Sequence, residues 1–386
     1  SMGQVKFSVN RACVGDELGM RCGSEDRNGL EVGFVYRLIE CPVHQPASMM
    51  RSLTGLLCAL LLVFAFQPAE PVQAQDLASS VESEIDMAEW QVPWASTRPR
   101  DPFVAPDGTV FFCGQAGGYI GSLNPVTGEM KQYDIGEGAG PHNLIVAEDG
   151  MVWYAGNRRG HIGRLNPDTG EVTRFPMPDA SARDPHTMVW LPDGNIAFTL
   201  QQSNMVGHLN VATGEVRLAS AENRRSRPYG IKVGPDGEVW VVLFGTNRFA
   251  HFDVANAVLH EMELPDEASR PRRMEITSDG RIWFGDYRRG YLIVFDPSDG
   301  SFNEFELPSG DGARVYGMAS DNTDTIWLVE TGVRPNNLVA FDTKSETFVK
   351  SATIPSGGST IRHMYYDEEG GKIWFGTDSN YIGRIL

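Results

Sequence analysis

Cysteine is scarce in this chain of 386 residues and unevenly placed. Cys13, Cys22, Cys41 and Cys58 all precede Ala74, and Cys113 stands alone after it. A chain cut after Ala74 therefore carries neither an intramolecular disulfide nor a cysteine metal cluster, and its stability must come from packing. Positive charge is also in deficit: 33 Lys and Arg against 50 Asp and Glu give a net charge of −17. That balance argues against nucleic acid and against anionic membrane surfaces as partners. Long apolar runs are missing too. The stretch from Leu56 to Phe66 is too short to span a bilayer. With Met49-Met50-Arg51 before it and the small-residue site Val72-Gln73-Ala74 after it, residues 49–74 read as a signal peptide cleaved near Ala74. The protein is then expected to be periplasmic or secreted, without a membrane span in its mature form. Residues 1–48 carry neither repeat nor apolar period, and they read as an upstream extension or disordered segment.

What the sequence has is a repeat. A Pro-containing loop, an apolar run, an Asp-Gly turn and a strand often bearing Trp recur seven times, as in Pro141-His142-Asn143-Leu144 to Val152-Trp153 and Pro228-Tyr229-Gly230-Ile231 to Val239-Trp240. One position of the repeat is filled in order by Arg100, His142, His186, Tyr229, Arg272, Tyr316 and Arg362, at intervals of 42 to 46 residues. This period is that of a four-stranded propeller blade. A third strand opens on Ile-Gly or Val-Gly (Ile120-Gly121, Ile162-Gly163, Val206-Gly207), turns such as Asn166-Pro167-Asp168-Thr169-Gly170 reverse the chain, and an alternating fourth strand follows. The last repeat ends in its third strand at Arg384-Ile385-Leu386, whereas Glu89-Trp90-Gln91-Val92-Pro93 has the spacing of a fourth strand. The spacing predicts an all-β, seven-bladed β-propeller over residues 86–386, closed by an N-terminal strand that completes the last blade.

Blade geometry sorts the charges. The turns after first and third strands place Asp107, Asp149, Asp193, Asp236 and Asp279 on one acidic face. The loops entering the innermost strands place Arg98, Arg100, Arg183, Arg227, Arg270, Arg272, Arg273, Arg314 and Arg362 on the other, beside His142, His186, Tyr229 and Tyr316. An acidic protein that gathers arginines at one mouth is suited to a carboxylate, sulfate or phosphate, which the guanidinium fork matches with paired hydrogen bonds. The alternative is a network in which Asp184, Asp286, Glu330 and Asp378 neutralise the arginines and tie blades together. Substrate-binding candidates are Arg100, Arg227, Arg270, Arg272, Arg314 and Arg362. His142, His186, Tyr229 and Tyr316 are the acid or base candidates for removing a proton next to a clamped carboxylate, followed by β-elimination. His363, one place beyond the ring position, is expected to turn away. Dispersed oxygen ligands, Asp286, Glu330 and Asp378, would suit magnesium or calcium better than zinc. The expected partner is a small-molecule or oligosaccharide anion, bound by a monomer.

Gly140-Pro141-His142, Gly234-Pro235-Asp236-Gly237, Ile282-Trp283-Phe284, Ile162-Gly163-Arg164, Phe305-Glu306-Leu307-Pro308 and the strand at Trp90 resemble the streptogramin lyase, or virginiamycin B lyase, group of seven-bladed propellers, over about residues 86–386. The resemblance implies elimination across the ester of a cyclic antibiotic, with magnesium, a catalytic histidine and metal-linked glutamates in the last blade. Here Arg362 stands at the histidine position, Thr360 at the preceding glutamate, Asp378 at the later carboxylate and Tyr316 at a second histidine. Only Asp378 keeps the chemical type. Exported propellers that eliminate across uronates are similar in layout, and an Arg, His and Tyr ring suits such substrates. A propeller that binds a ligand or partner without catalysis is the remaining alternative.

Overall fold

The computed structural model describes residues 85–385; the expected extension, 1–48, and signal peptide, 49–74, lie outside the described residues. Twenty-eight strands, numbered β1 to β28 in chain order, form seven antiparallel four-stranded sheets. The innermost strands are β2 (Pro99–Val104), β6 (Pro141–Val146), β10 (Pro185–Trp190), β14 (Pro228–Val233), β18 (Pro271–Ile276), β22 (Val315–Ser320) and β26 (Ile361–Asp367). This is the seven-bladed all-β propeller that the period predicts.

The Ile-Gly phrase has a steric cause. Gly121 lies directly across from Phe112, and Gly163 from Tyr154. A Cβ at either glycine would collide with the facing ring. Leaving it out lets the aromatic side chain of the second strand lie flat across the third, where Phe112 and Tyr154 are fully buried between blades. The apolar core accordingly runs as layers between adjacent sheets. Trp283, for instance, packs against Phe341 of the next blade, with ring centroids 5.5 Å apart.

The ring closes as expected. β1 (Met87–Gln91) pairs antiparallel with β28 (Tyr381–Ile385), from Met87 opposite Ile385 to Gln91 opposite Tyr381. Trp90 stacks on Trp374 at 5.6 Å, and the Asn380 side chain donates to the carbonyls of Val92 at 2.8 Å and Trp94 at 2.9 Å. Ser356 adds hydrogen bonds to the Glu89 carboxylate from its backbone N–H at 2.6 Å and its hydroxyl at 2.7 Å. Deleting the chain through Gln91 strips β28 of its partner and opens a sheet edge. Such a protein is expected to form oligomers or aggregates on size exclusion and to melt at lower temperature. A monomer with the parental melting temperature would show that the closing strand is dispensable.

Candidate active site

Every innermost strand breaks register with its neighbour after its first residues, between Pro141 and Leu144 in β6 and between Pro185 and Met188 in β10, and likewise in the other five. A bulge re-aims side chains. Here it brings two consecutive residues of several blades to the axis where regular alternation would bring one. The first layer is the ring read from the repeat. The second contains Asp101, Asn143 and Thr187, which the repeat did not single out, together with Arg273 and His363. The offset that selects them is one residue beyond the ring position, and only the bulge makes it point inward. His363 therefore does not turn away: it shares an axial cavity with Arg273 and Asn143.

The two layers form one polar network. Arg100, 3% exposed, donates from Nε to Asp101 Oδ1 at 2.8 Å and from Nη1 to Gln115 Oε1 at 3.2 Å and His142 Nε2 at 3.0 Å. His142 must then carry its proton on Nδ1. Asp101 also accepts from Asn143 Nδ2 at 2.9 Å, and Asn143 Oδ1 accepts the Met188 backbone N–H at 2.8 Å. Asp101 holds a left-handed backbone, with φ +50°, to make these contacts. Arg273 donates from Nη1 to Thr187 Oγ1 at 3.1 Å and from Nε to the Arg362 carbonyl at 3.1 Å. The His142 and His186 rings lie 3.7 Å apart, and Tyr229 follows His186 at 4.1 Å. The hydroxyls of Tyr229 and Tyr316 share a hydrogen bond. Arg272 sits among four rings, 3.6 Å from Tyr316, 4.5 Å from Tyr287, 4.6 Å from Phe244 and 5.1 Å from Tyr229.

The electrostatics follow from burial and from an excess of guanidinium. Burial, with Arg100 next in strength, holds His142 well below the usual histidine range. Burial and then Arg273 do the same to His186, so both rings are neutral at pH 7. For Asp101, burial is the largest single effect and pushes the carboxyl up, but Arg100, His363 and Arg273 together overcome it and hold the carboxyl below the usual carboxylate range. The two phenols separate: burial, then Tyr316, raises Tyr229, whereas Arg272, Arg100, Arg273 and Arg362 together overcome burial and lower Tyr316 to about 8. Around the axis Arg100, Arg272, Arg273 and Arg362 face the carboxylates of Asp101 and Asp378. Buried donors are left over: Arg100 Nη2, Arg272 Nε and Arg273 Nη2 have no hydrogen-bond partner.

The arginines do not all converge. Arg98, Arg183, Arg227 and Arg314 are exposed on the rim, and Arg98, Arg227 and Arg314 take left-handed backbone, with φ of +51°, +54° and +46°, just before their strands. The mouth at which the sequence gathers arginines is not open along the axis: Arg100, His142, His186, Tyr229 and Tyr316 are themselves buried and fill the axis at this level. What remains open beside it is a recess of about 250 Å³ between the loops of the fourth, fifth and sixth blades, lined by Phe244, Arg270, Tyr287, Arg288, Asp311 and Arg314. Phe244 packs on Tyr229 and Tyr287 on Tyr316, with centroids 5.6 and 6.0 Å apart, so one layer of side chains separates the recess from the phenol pair. Arg227 does not line this recess.

The profile of the virginiamycin B lyase family matches residues 72–331 and 219–386. The chain belongs to the virginiamycin B lyase family. Among solved structures, virginiamycin B lyase from Staphylococcus aureus is similar at 23% identity and a TM-score of 0.70, over 78% of this chain and 100% of that one. A streptogramin B lyase matches at 22% identity and a TM-score of 0.70, over 79% and 99% of the two chains. The hydrazine synthase of Kuenenia stuttgartiensis matches at 14% identity and a TM-score of 0.64, over 76% and 97%. At these identities the solved structures establish the propeller fold alone. No curated protein sequence matches.

The magnesium that the family resemblance implies does not fit the residues in place. Asp378, the one family carboxylate kept, is clasped by Arg362, whose Nε lies 3.3 Å from Oδ1, and is approached by Arg98 at 3.6 Å. Thr360 donates to the Ser359 carbonyl at 2.7 Å. The other expected ligands are engaged within their own blades: Asp286 accepts the backbone N–H groups of Arg270, Arg288 and Arg289 at 3.0 to 3.2 Å. Glu330 holds Ser309 and Asn337 at 2.7 to 2.8 Å. Each carboxylate ties down its own blade's loops, and among the described residues no three His, Cys, Asp or Glu side chains gather as a metal site.

Proposed function

We infer that this family member is a β-eliminating lyase for an anionic substrate, a small molecule or oligosaccharide, held on the arginine face. The observation that carries this reading is the hydrogen-bonded Tyr229 and Tyr316 pair beneath guanidiniums that outnumber the carboxylates around them. Two phenols pushed apart in acidity are suited to opposite roles. Tyr316, as phenolate, takes the proton from the carbon next to the substrate's carboxylate or ester carbonyl. The C–H electron pair becomes the new double bond while the β-oxygen leaves, taking the proton of Tyr229. The hydrogen bond between the phenols then returns a proton from Tyr316 to Tyr229. Arginine stabilises the enolate-like oxygen in place of a metal. Arg272 is half-buried between recess and phenols and is the side chain that must yield for substrate to reach them.

A second reading, a propeller that binds an anion without catalysis, is favoured by one observation: Tyr229 and Tyr316 are each only 2% exposed. Uronate oligosaccharides and ester lactones, assayed for the ultraviolet absorbance of a new conjugated double bond, separate the two. The lyase reading expects product from at least one of them, with Tyr316→Phe lowering turnover about 10²- to 10⁴-fold while anion binding persists. Saturable anion binding with no unsaturated product from any substrate supports the second. We also propose export, with cleavage near Ala74; the intact mass of secreted protein should correspond to a chain beginning at Gln75.

A further inference from the structure

The opposite end of the axis holds a second cavity, of about 210 Å³, beyond the bulged layer. Its wall is aromatic on one side, where Phe103 stacks on Tyr365 with centroids 4.2 Å apart and 24° between the ring planes, and aliphatic on the other, where Ile145 and Val189 line it. Its charged and titratable groups are Arg273 and His363 at the inner end and the Lys232–Glu275 pair, 2.8 Å apart, on the wall; the polar Asn143 and Thr187 that also line it are engaged with Asp101 and Arg273. Asp101, which lies behind, is already matched by Arg100 at 2.8 Å. Glu275 is answered by Lys232, so the charge left over is that of Arg273. This side chain is 4% exposed, and its Nη2 has no hydrogen-bond partner. The nearest carboxylate oxygen, Asp101 Oδ2, is 4.0 Å from it. A buried guanidinium with an unused donor, at the end of a slot with one flat aromatic wall, selects a ligand with a flat apolar body and a single negative head.

The geometry points to a second ligand site in this cavity, for a small aromatic monocarboxylate whose ring lies along Phe103 and Tyr365 and whose carboxylate meets Arg273. The volume sets the size at one ring with short substituents. The site is separate from the arginine-face recess: the two share no lining residue. It does not depend on the lyase reading.

Benzoate is the probe, with benzamidine as its cationic isostere, titrated calorimetrically into the full chain. Benzoate is expected to bind saturably and benzamidine at least tenfold more weakly. Val189→Trp, which fills the slot from its aliphatic side, should abolish benzoate binding. Tyr365→Leu, which removes one half of the stacked aromatic wall at a half-buried position, should weaken it severalfold, which keeps the test informative if Val189→Trp folds poorly. The proposal is overturned if benzoate shows no saturable binding or if benzamidine binds equally well. Binding that survives both substitutions but is lost in Arg314→Ala overturns it as well, since that result assigns the carboxylate to the arginine face.

Discussion

Replacing Asp101 with alanine is expected to cost about 3–5 kcal/mol of folding stability, among the largest losses available from one substitution outside the apolar core. The reason lies in what remains. Arg100 is buried and cannot shed its proton, so removing its carboxylate leaves a guanidinium with no counter-charge within the ring. Asn143 loses its acceptor at the same time, and with it the orientation that lets Oδ1 take the Met188 backbone N–H across the axis. Three blades are thus joined through one carboxylate. Chemical denaturation measures the effect directly, and a loss below about 1 kcal/mol, the value of an exposed pair, would show that the network does not hold the ring. Asp101→Asn should fall between, since it keeps shape and loses charge.

Acid should loosen the protein well before its carboxylates are protonated. Asp101 has a folded pKa below its unfolded value, so its contribution is intact above about pH 4 and declines only as the pH falls from there toward the folded value. His142 and His186 act earlier. Their folded pKa values also lie below the unfolded value of about 6.5, so the unfolded chain binds protons first as the pH drops. Stability is then full above about pH 6.5 and declines by about 1.4 kcal/mol per pH unit for each buried histidine below it. Denaturant midpoints at pH 7.5, 6.5 and 5.5 should decline over the lower interval, and the double substitution His142→Gln, His186→Gln should remove part of that decline, the remainder coming from His161, His208 and His363, which burial also holds below the usual histidine range. A midpoint constant from pH 7.5 to 5.5 in the parent would mean that the imidazoles are not held neutral.

The blades were legible because their determinants are local and repeated. Gly121 and Gly163 mark where an aromatic ring must cross a strand, and the unfinished last repeat together with Trp90 marks where the chain ends must meet. The arginine face was legible as a list of residues, and Arg100, Arg272 and Arg362 do reach the axis. The second layer was not. Asp101, Asn143, Thr187 and His363 become inward residues only because each inner strand bulges, and a bulge leaves no residue type by which to recognise it. Arg227 and Arg314 share a repeat position with Arg98, yet all three hold left-handed backbone and lie exposed on the rim, Arg314 beside the recess. Nor does counting residues at a mouth show whether they fit around a space or fill it. His142, His186, Tyr229 and Tyr316 are large enough to fill it. The magnesium that the resemblance implies does not fit these residues for a chemical reason visible in one of them: Arg362 occupies the carboxylate that a metal would need.

The account rests on a phenol at the axis that ionises near neutral pH because arginines surround it. A spectrophotometric titration of tyrosinate absorbance, taken as parent minus Tyr316→Phe, tests this most directly. The expected difference is one phenol ionising at about pH 8. A difference spectrum that rises only at or above pH 10, the ordinary tyrosine range, would contradict it.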